Sequence, residues 1–198
     1  MNKLTYLLYT LIFVLLYSCS TIDYTSYNII TASKIDIKQS KWIIDEPVTN
    51  IASHYSNDII ERYKKKLNKN FGLTKSIRDF KNISTMNRFL KSDLKMLIFY
   101  EEQTSYDYLI ETEVKTVKND LPNFQLYPEK RLADEMYIRI MVYDLKNKIL
   151  IHDKEFYFNQ TFEGGNNIAF SKTTDKFYKR AINTAINEFG KKYNWKLK

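Results

Sequence analysis

Two carboxylates separated by a single residue, Glu111 and Glu113, are the first pair in this 198-residue chain whose type and spacing could do chemistry. They fall on one side of a stretch that alternates with period two, and paired carboxylates on one face are what glycoside cleavage uses. Lys115 follows on the same side, so a charge-balanced, solvated sheet surface is the simpler reading. His54 and His152 are the only imidazoles, one in a helical pattern and one in a strand pattern. His54 stands four residues before Asp58, a helical spacing that suits either part of a metal site or an ordinary surface pair. Only one cysteine, Cys19, accompanies them, so no zinc set of Cys and His can be assembled, and no metal or cofactor is expected. There is no Gly-x-Ser-x-Gly elbow, and Gly164-Gly165 lacks the Lys-Ser/Thr continuation of a phosphate loop. The chain therefore reads as a non-enzyme.

Cys19 has a more specific setting. The preceding segment, residues 1–18, carries one basic residue, Lys3, ahead of the uncharged apolar run Leu11-Ile12-Phe13-Val14-Leu15-Leu16. Counted generously over residues 4–17, the apolar part is shorter than the ~20 residues a spanning helix needs, so it reads as an export signal peptide. It ends in Leu16-Tyr17-Ser18-Cys19, which resembles the lipobox of bacterial lipoproteins. That resemblance implies cleavage between Ser18, the small residue the signal peptidase needs, and Cys19, whose thiolate takes a diacylglyceryl group, with palmitate among the implied acyl chains. Each buried CH₂ contributes about 0.8 kcal/mol, so several acyl chains hold a protein at a membrane without a spanning helix. The implied address is the cell envelope, as a membrane-anchored lipoprotein of the outer membrane, facing either the periplasm or the surface. Asp23 alone follows the cysteine closely as an acidic residue, and the leaflet stays open.

The formal net charge is +8, from 31 Lys and Arg against 23 Asp and Glu, but these charges are dispersed and read as a solvated surface. With export as well, no nucleic-acid partner is expected. With Cys19 the only cysteine, no intramolecular disulfide can form.

Periodicity then divides the body. Residues 20–33 hold many small polar residues without strong periodicity, so 19–33 read as a tether from the membrane whose end could be recruited to the fold; residues 34–198 read as one domain. Residues 34–38 alternate as a short strand. A helix is expected over 49–69, capped by Thr49 or Asn50, with Ile51, Ala52, Tyr55, Ile59, Tyr63 and Leu67 on one face. A weak strand pattern lies within 73–80, and a second helix begins near Ser84 and carries Met86, Phe89, Leu90, Leu94, Leu97 and Ile98. The period changes to two over 106–118, and after a polar connection over 119–134 a long hairpin follows, 136–143 returning as 149–158. A glycine loop over 163–167 leads to a last helix over 171–190 with small Ala181 and Ala185 in its stripe. The expected fold is a single α/β domain: an antiparallel-rich mixed sheet of three to five strands packed with two or three helices, those over 49–69 and 171–190 sharing one face.

The strand Tyr108-Leu109-Ile110-Glu111-Thr112-Glu113-Val114, the hairpin around Asp144-Leu145-Lys146-Asn147-Lys148 and the closing helix resemble an envelope α/β module. That module is shared by the TolB N-terminal domain, the penicillin-binding-protein-activator lipoproteins and the curli secretion lipoprotein. The lipopolysaccharide-assembly lipoprotein is similar to nearly the same degree. The lipid anchor, compact body and absent catalytic sets point to a non-catalytic lipoprotein that binds another envelope component as adaptor or activator; a carrier of lipid or lipopolysaccharide, motivated by the aromatic hairpin, is the alternative and an envelope hydrolase the third. The resemblance assigns no binding residue and no small-molecule ligand. Phe156, Tyr157 and Phe158 are consecutive in a strand and so point to both faces; cover by packed helices is the first reading, and contact with a partner or lipid the second.

Overall fold

A computed structural model describes residues 22–31, 40–70, 73–80, 94–119, 131–163 and 174–193. The fold is a mixed α/β domain. Its strands are β1 (Ile22–Thr31), β2 (Trp42–Ile44), β3 (Val48–Thr49), β4 (Thr74–Ser76), β5 (Tyr108–Asn119), β6 (Arg131–Asp144) and β7 (Ile149–Glu163). Its helices are α1 (His54–Asn70), α2 (Leu94–Thr104) and α3 (Thr174–Lys192). The seven strands form one open sheet in the order β1-β7-β6-β5-β2-β4, with β3 also on β5.

The antiparallel heart, β5-β6-β7, is where the sequence alternates. Ile110 and Val114 on β5, Met136, Ile138, Ile140 and Val142 on β6, and Phe156 and Phe158 on β7 all face one side. Over that side lie α1, through Tyr55, Ile59, Tyr63 and Leu67, and α3, through Phe177, Ala181, Ile182, Ala185, Ile186 and Phe189. The two alanines let α3 approach the sheet closely, and Arg62–Asn183 and Lys66–Asn187 hydrogen bonds join α1 to α3. Two buried tyrosine hydroxyls find partners beneath the helices: Tyr63 meets the Thr112 hydroxyl at 3.2 Å, and Thr116 donates to the Tyr178 oxygen at 3.1 Å. The two helices thus share one face, as their stripes imply. A smaller cluster on the opposite face packs Leu97 and Tyr100 of α2 on Ile43, Leu109, Met141, Tyr143 and Leu145.

The sheet is wider than the three to five strands expected. Three additions are short parallel pieces. β2 pairs β4 on one side and β5 on the other, and its Trp42, Ile43 and Ile44 are buried on both faces, so they form an unbroken apolar run with no alternation to detect. The cap expected at Thr49 or Asn50 is displaced for a related reason. Val48 and Thr49 pair Glu113 and Val114 of β5, and the Asn50 side chain then copies a backbone pairing, accepting from Thr116 N at 2.8 Å and donating to its carbonyl at 3.3 Å. The helix starts only at His54.

The fourth addition corrects the tether. Residues 22–31 are a ten-residue edge strand, antiparallel to β7 from Ile22↔Gln160 to Thr31↔His152, with an irregularity between Asn28 and Ile30. Backbone pairing holds this strand although residues 23–30 are exposed, and for that reason its sequence lacks a buried stripe. The strand expected over 34–38 and the helix start near Ser84 lie outside the described residues. Of that helix the structure describes Leu94–Thr104. None of the described helices is long and apolar enough to cross a membrane.

Candidate functional site

The face of β5-β6-β7 turned away from α1 and α3 carries, beyond the apolar cluster under α2, three registered rows of polar side chains. In the middle row Glu113 stands across from Arg139, Arg139 across from Glu155, and Glu155 across from Tyr27 of β1. To one side Lys115, Tyr137, Tyr157 and Thr25 are aligned, and to the other Glu111, Met141, Asp153 and Ile30. Strand alternation alone puts these side chains together, because partners in register across three antiparallel strands share a face.

Arg139 organises the array. Its Nε donates to Asp153 Oδ1 at 2.8 Å and its Nη2 to Oδ2 at 2.6 Å, a two-pronged pair in which the Asp153 side chain is only 2% exposed. The Asp153 hydrogen bond, more than any other contact, holds the guanidinium above its ordinary pKa. Glu155 lies 3.6 Å from Arg139 Nε and accepts from the Tyr137 hydroxyl at 2.7 Å; burial first, and then this bond, raises the Tyr137 phenol. Lys115 Nζ sits 2.5 Å from Glu113. Burial and a hydrogen bond to Glu135 push Tyr157 up to about 12. The neighbouring register adds Lys118, Glu135 and Asp23, so six carboxylates, Asp23, Glu111, Glu113, Glu135, Asp153 and Glu155, stand with three cations, Lys115, Lys118 and Arg139, which leaves the face acidic in a chain of net charge +8.

Glu111 and Glu113 do share this face, as their spacing predicts, and both are buried. Glu113 is committed to Lys115 and stands across from Arg139, which makes it a structural counter-ion. His54 is exposed in the first turn of α1 with its ring 4.0 Å from that of Tyr55. Among the described residues no three His, Cys, Asp or Glu side chains come together as a metal-ligand set.

The consecutive aromatics divide between the faces. Phe156 and Phe158 are 0% and 1% exposed, stacked 6.2 Å apart beneath the helices, and as core residues they have no surface to offer a partner or lipid. Tyr157 points the other way and is half-buried in the polar rows. Ser18 and Cys19 lie outside the described residues. Sequence reasoning missed Arg139 and Asp153; the available signal was a charged residue inside Ile138-Arg139-Ile140, facing acids when the hairpin is folded about its turn.

His152 sits on the helix side of β7 and is 0% exposed. Its Nδ1 lies 2.8 Å from the Tyr193 hydroxyl, its Nε2 has no hydrogen-bond partner, and the ring packs edge-on against Phe189. Burial, then Lys192 and Lys154, lower its pKa to about 4, with Asp153 opposing. The unfolded chain therefore binds a proton that the fold refuses between about pH 6.5 and about pH 4. Stability from this residue is complete above that window and falls on acidification through it, by on the order of 3 kcal/mol. Urea unfolding at pH 7 and pH 4.5 should show the loss in the native chain and a smaller one in His152→Gln; equal slopes in the two proteins would refute it.

No family model matches the chain, and no curated protein matches it. Solved structures similar to it include a neuraminyllactose-binding hemagglutinin homolog from Helicobacter pylori, at 14% identity and TM-score 0.43 over 80% of this chain and 90% of that one. The LpoB C-terminal domain from Salmonella enterica is similar at 10% identity and TM-score 0.39, over 67% and 88% of the two chains. A lipoprotein from Neisseria meningitidis is similar at 7% identity and TM-score 0.40, over 77% and 99%.

Proposed function

We propose that this protein is a lipid-anchored envelope lipoprotein whose folded body binds another envelope protein and catalyses nothing. The carrying observation is the polar face of β5-β6-β7. Arg139–Asp153 and Lys115–Glu113 are ion pairs and Glu155 accepts from the Tyr137 hydroxyl, so these groups are engaged with one another and not poised for a substrate. What the face does present outward is tyrosine and charge: Tyr27, Tyr137, Tyr157, Lys115 and Glu155 are exposed or half-exposed. Tyrosine and arginine on a firmly held surface are characteristic of protein contacts, and the excess of carboxylates favours a partner with a basic patch. The alternative of a lipid or lipopolysaccharide carrier took its motive from the 156–158 aromatics, two of which fill the core.

The test uses intact cells with a photo-crosslinking amino acid in place of Tyr157, and in place of exposed Leu73, beside β4 at the far edge of the sheet, as control. A reproducible protein adduct from position 157 alone is expected; none would sink the reading. The anchor has its own test. Cys19→Ser should abolish acyl labelling and leave uncleaved precursor, and a labelled, processed product would show that residues 16–19 are not a lipobox.

A further inference from the structure

We propose that β1 and the C-terminal turn of α3 form a second, non-covalent membrane contact, in which exposed Tyr and Ile side chains and three lysines seat the body on an anionic bilayer surface. The proposal rests on reading Cys19 as the lipid anchor. Ile22, where β1 starts, is the third residue after Cys19. A chain spans at most about 3.5 Å per residue, so an acylated Cys19 keeps the start of this strand within roughly 10 Å of the headgroups. The edge strand is therefore the part of the sheet held closest to the bilayer.

Its side chains suit that place. Tyr24 is 43% exposed and stacks on Phe158 at the helix side, while Tyr27, 62% exposed, stands across from Glu155 on the other side. Ile29, at the irregularity in pairing, and Ile30 are exposed as well. Apolar residues on both sides of one edge have no common sheet face to pack on, but a flat surface meeting the rim reaches both. Tyrosine, with an apolar ring and a polar tip, partitions to the interface between lipid and water.

Three cations gather beside the strand. Lys154 of β7 is in register with Asn28 of β1, and Lys191 and Lys192 occupy the last turn of α3. Lys154 lies over the Phe156 ring and Lys192 over the Tyr193 ring. Partial burial and then Lys154 hold Lys192 below its ordinary pKa, a sign that these two charges repel each other. Lys191 pairs with Glu188 and also feels Tyr24, which places it beside the exposed edge. Such a cluster is relieved by anionic lipid and attracts it.

The acylated protein, carrying Ser26→Cys on β1 or Leu73→Cys beside β4 at the opposite edge, is labelled with a fluorophore. It is then placed in nanodiscs whose lipids bear a shallow nitroxide quencher. Quenching at position 26 should be several-fold stronger than at position 73 in phosphatidylglycerol-containing discs, and weaker in phosphatidylcholine alone. Changing Lys154, Lys191 and Lys192 together to Gln should lower it to the phosphatidylcholine value; Tyr24→Ser with Ile29→Ser, both at exposed positions, should lower it further. Equal quenching at the two positions overturns the seat while leaving the anchor standing. Mass spectrometry of the same sample reads acylation, and an unmodified Cys19 removes the anchor and this proposal with it. Energy transfer between differently labelled copies at position 26, with no quenching, assigns the edge to a second copy and also overturns it.

Discussion

Arg139→Met should destabilise the fold by about 3–5 kcal/mol, because it strands the Asp153 carboxylate in a nearly water-free position. The Asp153 side chain is 2% exposed and both its oxygens are held by the guanidinium. Without that pair the carboxylate must either remain charged without a partner or take up a proton, and either course costs folding free energy. The double change Arg139→Met with Asp153→Leu should recover most of the loss, since it removes both charges together and leaves none uncompensated. Lys148→Met is the control: it and its partner Glu101 are both about a third exposed, and breaking such a pair should cost no more than about 1 kcal/mol. Urea unfolding followed by circular dichroism reads all four proteins. A cost for Arg139→Met no larger than that of Lys148→Met would show that the middle row does not hold this face together.

Phe156→Ala should cost a similar amount, about 3–5 kcal/mol, by emptying a ring-sized volume between the sheet and the helices above it. Phe156 is fully buried and stacks on Phe158, which in turn supports Tyr24 of the edge strand. Tyr157→Ala, one residue along, changes the opposite face. It loses a hydrogen bond to Glu135 and a half-buried ring, and should cost closer to about 1 kcal/mol. The two variants therefore separate folding from binding. Loss of partner capture with near-normal unfolding is expected of Tyr157→Ala, and loss of the fold is expected of Phe156→Ala. The reverse pattern would mean that the polar rows are not the contact surface.

The elements legible from the residues are those in which a long segment buries one side. The strands around 108–119, 131–144 and 149–163 alternate because one face of the antiparallel sheet meets the helices, and α1 and α3 show continuous stripes because they lie flat on it. The missed elements lack that asymmetry. Trp42-Ile43-Ile44 is covered on both faces, Val48-Thr49 is two residues long, and the β1 strand is exposed over residues 23–30 and held by its backbone. The candidate face was half legible. Glu111, Glu113 and Lys115 follow from alternation within one strand, whereas Arg139 and Asp153 meet only across the β6-β7 pairing, whose register shifts between Val142 and Tyr143.

Local order in the chain was thus enough for the periodicity of each long element and the division of Phe156, Tyr157 and Phe158 between two faces. Which face became core, which acid met Arg139, and whether residues 22–31 stayed a tether or became an edge were decided by long-range pairing. Periodicity depends on neighbours two to four residues away and is written into the chain. Register and cover depend on strands and helices tens of residues distant, whose positions the chain acquires only when the whole sheet assembles.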